Sequence, residues 1–297
     1  SMIPYHFLHE QTLAKRLDEY KAVILPDQRY LSPDLVEALP GWVERGGVLL
    51  ATGLTGTLDD TYADMGQFAL GDLLGLRYEG TYDQPHAYIA VTDERLQAGT
   101  LNMPHLAETT FALARPVAED VQVLANLHKI YLRSDGRFLL RWSPVGEYSG
   151  YPAITARRVG KGWAAYIAGD PFRAYQVKNQ WNLKHVVANL LGLLIEQPLV
   201  QVDAPAWVEV TLMRQEAEGR TLVHLVNQHG NRPVDRNYYC LEQPLPVRDI
   251  TVRLRCASQP SRVTLEPEGI EPVWEYQEGV LTVRVPQVVI HTIIAVE

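Results

Sequence analysis

A ligand site is the first chemistry that the sequence suggests, because charged, hydroxyl and small residues follow the ends of three predicted strands. These residues are Asp27, Arg29, Thr52, Gly53, Asp170 and Arg173. Open parallel sheets bind ligands outside the carboxyl ends of their strands, so this set would form a small polar crevice for a sugar or an anion. The alternative interpretation is structural. Asp27 and Asp170 would then cap the following helices or turns, and Arg173 would pair with one of them.

Histidines and tryptophans provide a second set of candidate residues. His224 lies among apolar neighbours in a predicted strand, without a carboxylate or cysteine at the spacing of metal ligands. It is therefore interpreted as a core or rim histidine, and His185 is interpreted in the same way. Trp142 and Trp274 are the tryptophans that we expect to be exposed, where an indole ring could stack on a sugar.

The common catalytic signatures are absent from the sequence. There is no phosphate loop ending in Gly-Lys-Ser/Thr, no Gly-x-Gly-x-x-Gly, no His-Glu-x-x-His, no Cys-x-x-Cys and no Gly-x-Ser-x-Gly. Glycosidic cleavage needs two carboxylates about 5–10 Å apart across a cleft, and the sequence alone shows no such pair. The adjacent Asp59 and Asp60, on a predicted loop, are interpreted as a solvated turn. The sequence thus predicts no catalytic residue, no metal and no cofactor.

Alternating strands and helices position the predicted crevice. Residues 20–26 form an apolar run that ends at a proline, as a buried strand would. Ser32 and Pro33 then begin a helix with an approximate 3.6-residue apolar period, which ends at Gly46. Residues 48–52 form the next strand. Strand, helix and strand within about 33 residues make a βαβ unit, which predicts an α/β domain with a parallel sheet.

Further elements are predicted on both sides of this unit. They are a strand over 4–8, helices over 11–20 and 66–76, a strand that follows a glycine-bearing turn and stops at 170, and a helix over 182–195. Residues 78–135 are read as strands and loops, and they show no clear periodicity.

The pattern changes after residue 198, where helix signals end. Short β-rich runs follow at 207–213, 221–227, 250–254, 262–265, 280–285 and 288–296. Six or seven strands in about 100 residues, separated by turns, predict an antiparallel β-sandwich. We therefore divide the chain into an α/β domain over 2–198 and an all-β domain over 199–297.

Composition restricts the partners. Thirty-five acidic residues against 27 basic ones give a net charge of −8, which opposes binding to nucleic acid or to an anionic membrane. Two cysteines are too few for a disulfide framework. No apolar run approaches the roughly 20 residues of a membrane span, and no signal peptide begins the sequence, so a cytoplasmic location is predicted.

Several motifs, taken in order, resemble one known family. In residues 17–53, a strand ending in Pro-Asp precedes a helix ending in Arg-Gly-Gly and a strand ending in Ala-Thr-Gly. A Leu-Gly-Asp-Leu-Leu-Gly-Leu segment follows at 70–76, and Gly-Lys-Gly at 160–162. These motifs resemble the β-galactosidase trimerisation domain, which lies behind the catalytic barrel of family 42 and related bacterial glycoside hydrolases. Runs within 222–292 resemble the β-sandwich that ends such hydrolases.

The resemblance implies a class I glutamine-amidotransferase-like, flavodoxin-like parallel sheet followed by an antiparallel sandwich, and no activity of its own. True amidotransferases carry a nucleophilic cysteine at the turn where this chain has Thr52 and Gly53. The hydrolase activity of the family belongs to a TIM barrel, for which two other domains leave no room. The family fold also has a strand and helix before the segment at 4–8, so we expect the chain to begin inside a domain.

Three hypotheses about function follow. The first is a non-catalytic region of a glycoside hydrolase, acting in oligomerisation and in shaping a sugar site, with a TIM-barrel catalytic domain or further copies of itself as partners. A large apolar patch on the first domain would favour it. The second is a carbohydrate-binding module, which exposed aromatic pairs would favour. The third is an enzyme that uses the amidotransferase-like pocket, which a histidine and a carboxylate converging near Thr52 would favour.

Overall fold

The computed structural model describes residues 4–132, 143–178, 180–205, 207–229 and 244–297. Trp142, named above as a candidate for exposure, lies outside these residues. The chain divides into two compact units, one of residues Leu8–Glu196 and one that combines Ser1–Phe7 with Gln197–Glu297. Among the described residues, no helix is both long and apolar enough to cross a membrane.

The unit Leu8–Glu196 mixes helices and strands. Its helices are α1 (Glu10–Arg16), α2 (Pro33–Glu44), α3 (Gly71–Leu74), α4 (Pro171–Lys178) and α5 (Trp181–Leu194), with 3₁₀ turns at Leu17–Glu19 and Glu94–Leu96. Its strands are β1 (Ala22–Pro26), β2 (Val48–Thr52), β3 (Leu76–Thr81), β4 (Ala87–Val91), β5 (His105–Ala107), β6 (Ala112–Pro116), β7 (Gln122–Ile130), β8 (Val145–Val159) and β9 (Gly162–Ile167).

A mixed sheet forms the centre of this unit. Within the described residues it has seven strands in the order β1-β2-β9-β8-β7-β4-β5, while β3 and β6 form a separate antiparallel pair. β1, β2 and β9 are mutually parallel. The other neighbours in the large sheet are antiparallel. An α/β unit is thus present as expected, although its sheet is parallel over only three strands.

The β8–β9 hairpin explains why the sheet departs from the expected parallel pattern. Val159 pairs with Gly162, which leaves a two-residue turn, and so tight a turn joins only antiparallel strands. Gly160 adopts φ 56° in this turn, a conformation that glycine adopts without a steric penalty. The flavodoxin-like arrangement is therefore not what this part of the sheet shows.

Of the parallel strands, β2 and β9 are almost entirely buried, whereas β1, at the edge of the sheet, alternates between buried and exposed residues. All five residues of β2 are buried, as is usual for a central parallel strand. The buried stripe of α2 consists of Leu35, Leu39, Trp42 and Val43. Gly162, at the start of β9, permits a close approach, since a Cβ there would lie 2.1 Å from the Val43 carbonyl oxygen. This part of the core holds the ends of β1, β2 and β9 in fixed positions.

Two predicted elements were wrong. Residues 4–8 form no strand; alternation of polar and apolar residues is not sufficient, because a strand also needs a partner for its backbone groups. The helix predicted over 66–76 is reduced to Gly71–Leu74, since Gly75 adopts a left-handed φ of 67° and ends it. The helices predicted over 11–20 and 182–195 are present as α1 with its 3₁₀ turn and as α5.

The second unit is a β-sandwich. Its strands are β10 (Val200–Asp203), β11 (Val208–Gln215), β12 (Arg220–Asn227), β13 (Val247–Arg255), β14 (Val263–Glu266), β15 (Val273–Gln277), β16 (Val280–Val288) and β17 (His291–Val296). In the described part of this unit they form two four-stranded antiparallel sheets, in the orders β10-β13-β16-β15 and β11-β12-β17-β14. Both sheets contribute to one core, for example through Val252, Val283, Val223 and Ile294. The predicted antiparallel sandwich is confirmed.

Candidate functional site

The ends of β1 and β2 meet because the two strands run parallel and in register, with Pro26 beside Thr52. The backbone N–H of Asp27 donates to Thr52 Oγ1 at 3.1 Å. Thr55 Oγ1 donates towards the carbonyl oxygens of Leu25, at 3.0 Å, and Thr52, at 2.6 Å. Thr52 and Thr55 are both buried. Their hydroxyls therefore replace the ladder hydrogen bonds where the two strands end.

The Asp27 carboxylate occupies the turn after β2. Asp27 adopts a left-handed φ of 49°, and its Oδ1 accepts a 2.7 Å hydrogen bond from the backbone N–H of Leu54. A Cβ on Gly53 would lie 2.4 Å from the same Oδ1. Its Oδ2 accepts from Arg29 Nε at 3.3 Å. The space where an amidotransferase-like nucleophile would stand is thus filled by a carboxylate that the chain itself satisfies.

Gly53 is held equally firmly by β9. Its N–H donates to the carbonyl oxygens of Ile167, at 2.9 Å, and Gly169, at 3.1 Å, and its own carbonyl oxygen accepts from the hydroxyl of Tyr166. Burial raises the pKa of Tyr166 well above its ordinary value, and the charge of Asp27 adds to this effect. Tyr166 is therefore a neutral donor at physiological pH, and both backbone groups of Gly53 form hydrogen bonds within the chain.

Asp170 caps α4. Its Oδ1 accepts from the backbone N–H groups of Phe172 and Arg173, both at 3.1 Å, which is the bonding expected of an N-cap. Its own N–H donates to Thr109 Oγ1 at 3.2 Å. Burial raises the pKa of Asp170, and the charge of Asp27 also raises it, while the N–H groups that it caps act in the opposite direction.

The structure brings four of the six predicted residues together and leaves two at the margin. Asp27, Thr52, Gly53 and Asp170 are buried or half-buried at this edge of the sheet, whereas Arg29, which donates to Asp27, and Arg173 are exposed. Within the described residues, no ion pair of 4 Å or less joins Arg173 to Asp27 or Asp170, although the charge of Arg173 lowers the pKa of Asp170. The pairing of Arg173 with one of the two aspartates stays a prediction. Asp27 and Asp170 bond to backbone N–H groups, which favours the structural interpretation. Binding of a ligand in this crevice stays a prediction.

A histidine and a carboxylate do approach each other farther along the same edge of the sheet. His86 is buried, and its Nε2 has no hydrogen-bond partner among the described residues. Burial lowers the pKa of His86, and the charge of Glu108 partly opposes this shift. Glu108 pairs with Lys178 at 3.1 Å. In the described part of the chain, no histidine hydrogen bonds to Thr52, so the arrangement that would favour an enzyme at the turn is not formed.

The sandwich also contains a pair of histidines. His224 Nδ1 lies 3.1 Å from His291 Nε2, and the ring planes differ by 12°. Burial lowers the pKa of His224, and His291 lowers it further. Among the residues that the structure describes, no group of three or more potential metal ligands occurs. Trp274, expected to be exposed, packs against the sandwich core instead.

Sequence reasoning missed a pair of tyrosines close to the crevice. Tyr30 and Tyr62 have ring centroids 5.9 Å apart and ring planes at 48°. Tyr30 follows Asp27 by three residues, and Tyr62 lies in the loop that contains Asp59 and Asp60. The aspartates and the tyrosine are visible in the sequence, but nothing there shows that the loop folds back onto Tyr30.

The comparisons with known proteins agree with the motifs. Residues 3–103 match the family model of the β-galactosidase trimerisation domain. The likeness to this domain therefore extends over about a third of the chain. It is also 24% identical, over 223 residues, to β-galactosidase LacZ of Heyndrickxia coagulans; the alignment covers 72% of this chain and 29% of the relative. The resemblance stated from the sequence is thus confirmed.

Solved structures share the fold over nearly the whole chain. α-L-Fucosidase isoenzyme 2 from Paenibacillus thiaminolyticus superposes with a TM-score of 0.77 at 24% identity, over 94% of this chain and 41% of that one. β-Galactosidase from Bacillus circulans sp. alkalophilus gives 0.59 at 18% identity, over 95% and 34%. At these identities the likeness shows the fold alone. The chain spans less than half the length of each of these three relatives.

Proposed function

We propose that this chain is a non-catalytic region of a glycoside hydrolase, which acts in oligomerisation and in shaping a sugar site supplied by a TIM-barrel catalytic domain. The trimerisation-domain match over residues 3–103 carries the proposal. The filled turn supports it, because Asp27 and Gly53 leave no nucleophile or free oxyanion donor there. We also infer that β1, α2, β2 and β9 are the flavodoxin-like part of the fold.

The test is the mass of the chain in solution, measured by light scattering across a dilution series. Hydrolysis of an aryl β-galactoside and an aryl α-L-fucoside is followed in the same samples, because the relatives named above act on galactosides or fucosides. We expect a stable dimer or trimer without turnover. A monomer at every concentration would contradict the role in assembly, and turnover above the buffer rate would contradict the non-catalytic role.

A carbohydrate-binding module is the second candidate, and the exposed guanidinium groups of Arg29 and Arg173 favour it. In this proposal a sugar would lie over the rim of the crevice formed by Asp27, Thr52, Gly53 and Asp170. Its hydroxyls would accept hydrogen bonds from the two arginines.

A further inference from the structure

Two arginines face each other across the strand pair β3–β6. Arg77 and Arg115 are partners in its antiparallel register, and like charges directly opposite on adjacent strands are destabilising. The side chain of Arg77 is 62% exposed and that of Arg115 is 45% exposed. Because neither guanidinium group is buried, packing does not explain why two cations occupy opposed positions.

One carboxylate holds the two guanidinium groups side by side. Glu79 Oε1 accepts from Arg77 Nη2 at 2.8 Å and Nε at 3.2 Å, and from Arg115 Nε at 3.0 Å. The hydroxyl of Tyr151 donates to Glu79 Oε2 at 2.8 Å. Arg115 Cζ also lies 4.8 Å from the centroid of the Tyr151 ring, and a guanidinium that stacks on a ring still directs its N–H groups outward in its own plane. These contacts set the positions of both cations without any ligand.

The cluster keeps an excess of positive charge around Glu79. Hydrogen bonds from Arg115, Arg77 and Tyr151 lower the pKa of this carboxylate to about 2, so it is ionised at neutral pH. Two cations and one carboxylate leave one positive charge, in a chain whose net charge is −8. A guanidinium also offers more N–H groups than Glu79 takes up, which are two from Arg77 and one from Arg115. The further donors and the uncompensated charge favour an anionic ligand.

We propose that Arg77 and Arg115 bind the oxyanion group of a small ligand, which is a carboxylate, a phosphate or a sulfate. The planar guanidinium fork matches the oxygen spacing of such groups and donates to two oxygens at once. Glu79 and Tyr151 are positioning residues, since they hold the two forks and make no contact with the anion. The inference does not depend on the proposed function, because the strand pair β3–β6 carries these residues whether or not the chain assembles.

Calorimetric titration of the intact chain with sodium phosphate, sodium sulfate and sodium acetate, at pH 7 and constant ionic strength, tests the proposal. At least one anion should bind saturably with a Kd of about 1 mM or below, and the anion that binds most tightly identifies the group that the site accepts. Arg77→Gln and Arg115→Gln should each weaken this binding about tenfold or more, because each removes a charged fork. Arg77→Lys, which keeps the charge but not the fork, should also bind more weakly than the wild type.

Arg45→Gln is the matched control, since the Arg45 side chain is 63% exposed and pairs with the carboxylate of Asp18. This variant should bind the anion as the wild type does. Failure of all three anions to bind saturably would overturn the proposal. Equal affinities of the wild type and both glutamine variants at positions 77 and 115 would overturn it as well, because the anion would then bind elsewhere. Light scattering on the same variants separates the two proposals: loss of anion binding with unchanged mass leaves the role in assembly intact.

Discussion

At the scale of single residues, the contact between Gly53 and Asp27 leaves very little room for a larger side chain at position 53. Gly53 adopts φ +58°, and a Cβ there would lie 2.4 Å from Asp27 Oδ1. Gly53→Ala must therefore bear left-handed strain of about 1–2 kcal/mol and must also displace the carboxylate from the Leu54 N–H. Loss of that charged hydrogen bond adds about 1.5–3 kcal/mol. We expect the free energy of unfolding, measured by urea denaturation, to fall by the sum of the strain and the lost hydrogen bond.

Gly66 provides the control for this experiment. Its φ is +65°, and a Cβ there would have no neighbour within 4 Å, so Gly66→Ala bears the strain alone. If both alanine variants lost the same stability, the Asp27 carboxylate would contribute nothing at the turn, and the structural account of the candidate site would fail.

The crevice illustrates how far residue types predict a site. The ends of β1 and β2 could be placed from the apolar runs before Asp27 and Thr52, since parallel strands end at one edge of a sheet. The left-handed backbone of Asp27 and its hydrogen bond to Leu54 could not be predicted in this way. Both depend on a contact between segments that lie 27 residues apart in the chain. Tyr62 was missed for the same reason.

At the scale of elements, the strand pair β4–β5 contains a buried titratable group. His105 is 2% exposed, its Nδ1 has no hydrogen-bond partner within the part of the chain that the structure describes, and burial lowers its pKa from 6.5. The folded state therefore keeps His105 neutral at pH values where the unfolded chain takes up a proton. Stability should be full above about pH 6.5 and should fall as the pH drops below it, by at most about 1.4 kcal/mol per pH unit for this group.

Urea unfolding at several pH values between 7.5 and 5.5 measures this effect. His105→Phe should reduce the slope of stability against pH, since the variant removes the proton that the unfolded chain gains. Leu127→Ala, which removes buried atoms from the neighbouring strand β7 and changes no titratable group, should lower the stability without changing the slope. An unaltered slope in His105→Phe would mean that another group, such as His86, controls the acid response.

The elements that could be predicted from the sequence are those whose buried residues follow a regular pattern. α2 and β2 show a 3.6-residue apolar period and a continuous apolar run, because one covers a sheet and the other is covered on both faces. β8 was not predicted: only five of its 15 residues are buried, so its polar and apolar residues follow no simple period. The antiparallel half of the sheet is built from such strands. For this reason the sequence predicted parallel strands over more of the sheet than has them.

At the scale of the whole molecule, two separate cores should give two separable unfolding reactions. One core lies in the unit Leu8–Glu196 and the other in the unit that contains residues 197–297. Leu49 and Leu281 are both 0% exposed, one in each core. Leu49→Ala and Leu281→Ala delete the same group at matched burial, so each should destabilise its own unit by about 2–5 kcal/mol.

Amide hydrogen exchange with mass spectrometry can follow the two units in one sample, because peptides report each unit separately. We expect Leu49→Ala to speed exchange in β1, β2 and β9 while β13 and β16 keep their wild-type protection, and Leu281→Ala to do the reverse. Since each core is built from residues of one unit alone, a cavity in one removes no contact from the other. Faster exchange in both units of either variant would show that the chain unfolds as one cooperative body, and the unit Leu8–Glu196 could then not be treated as a separate folding unit.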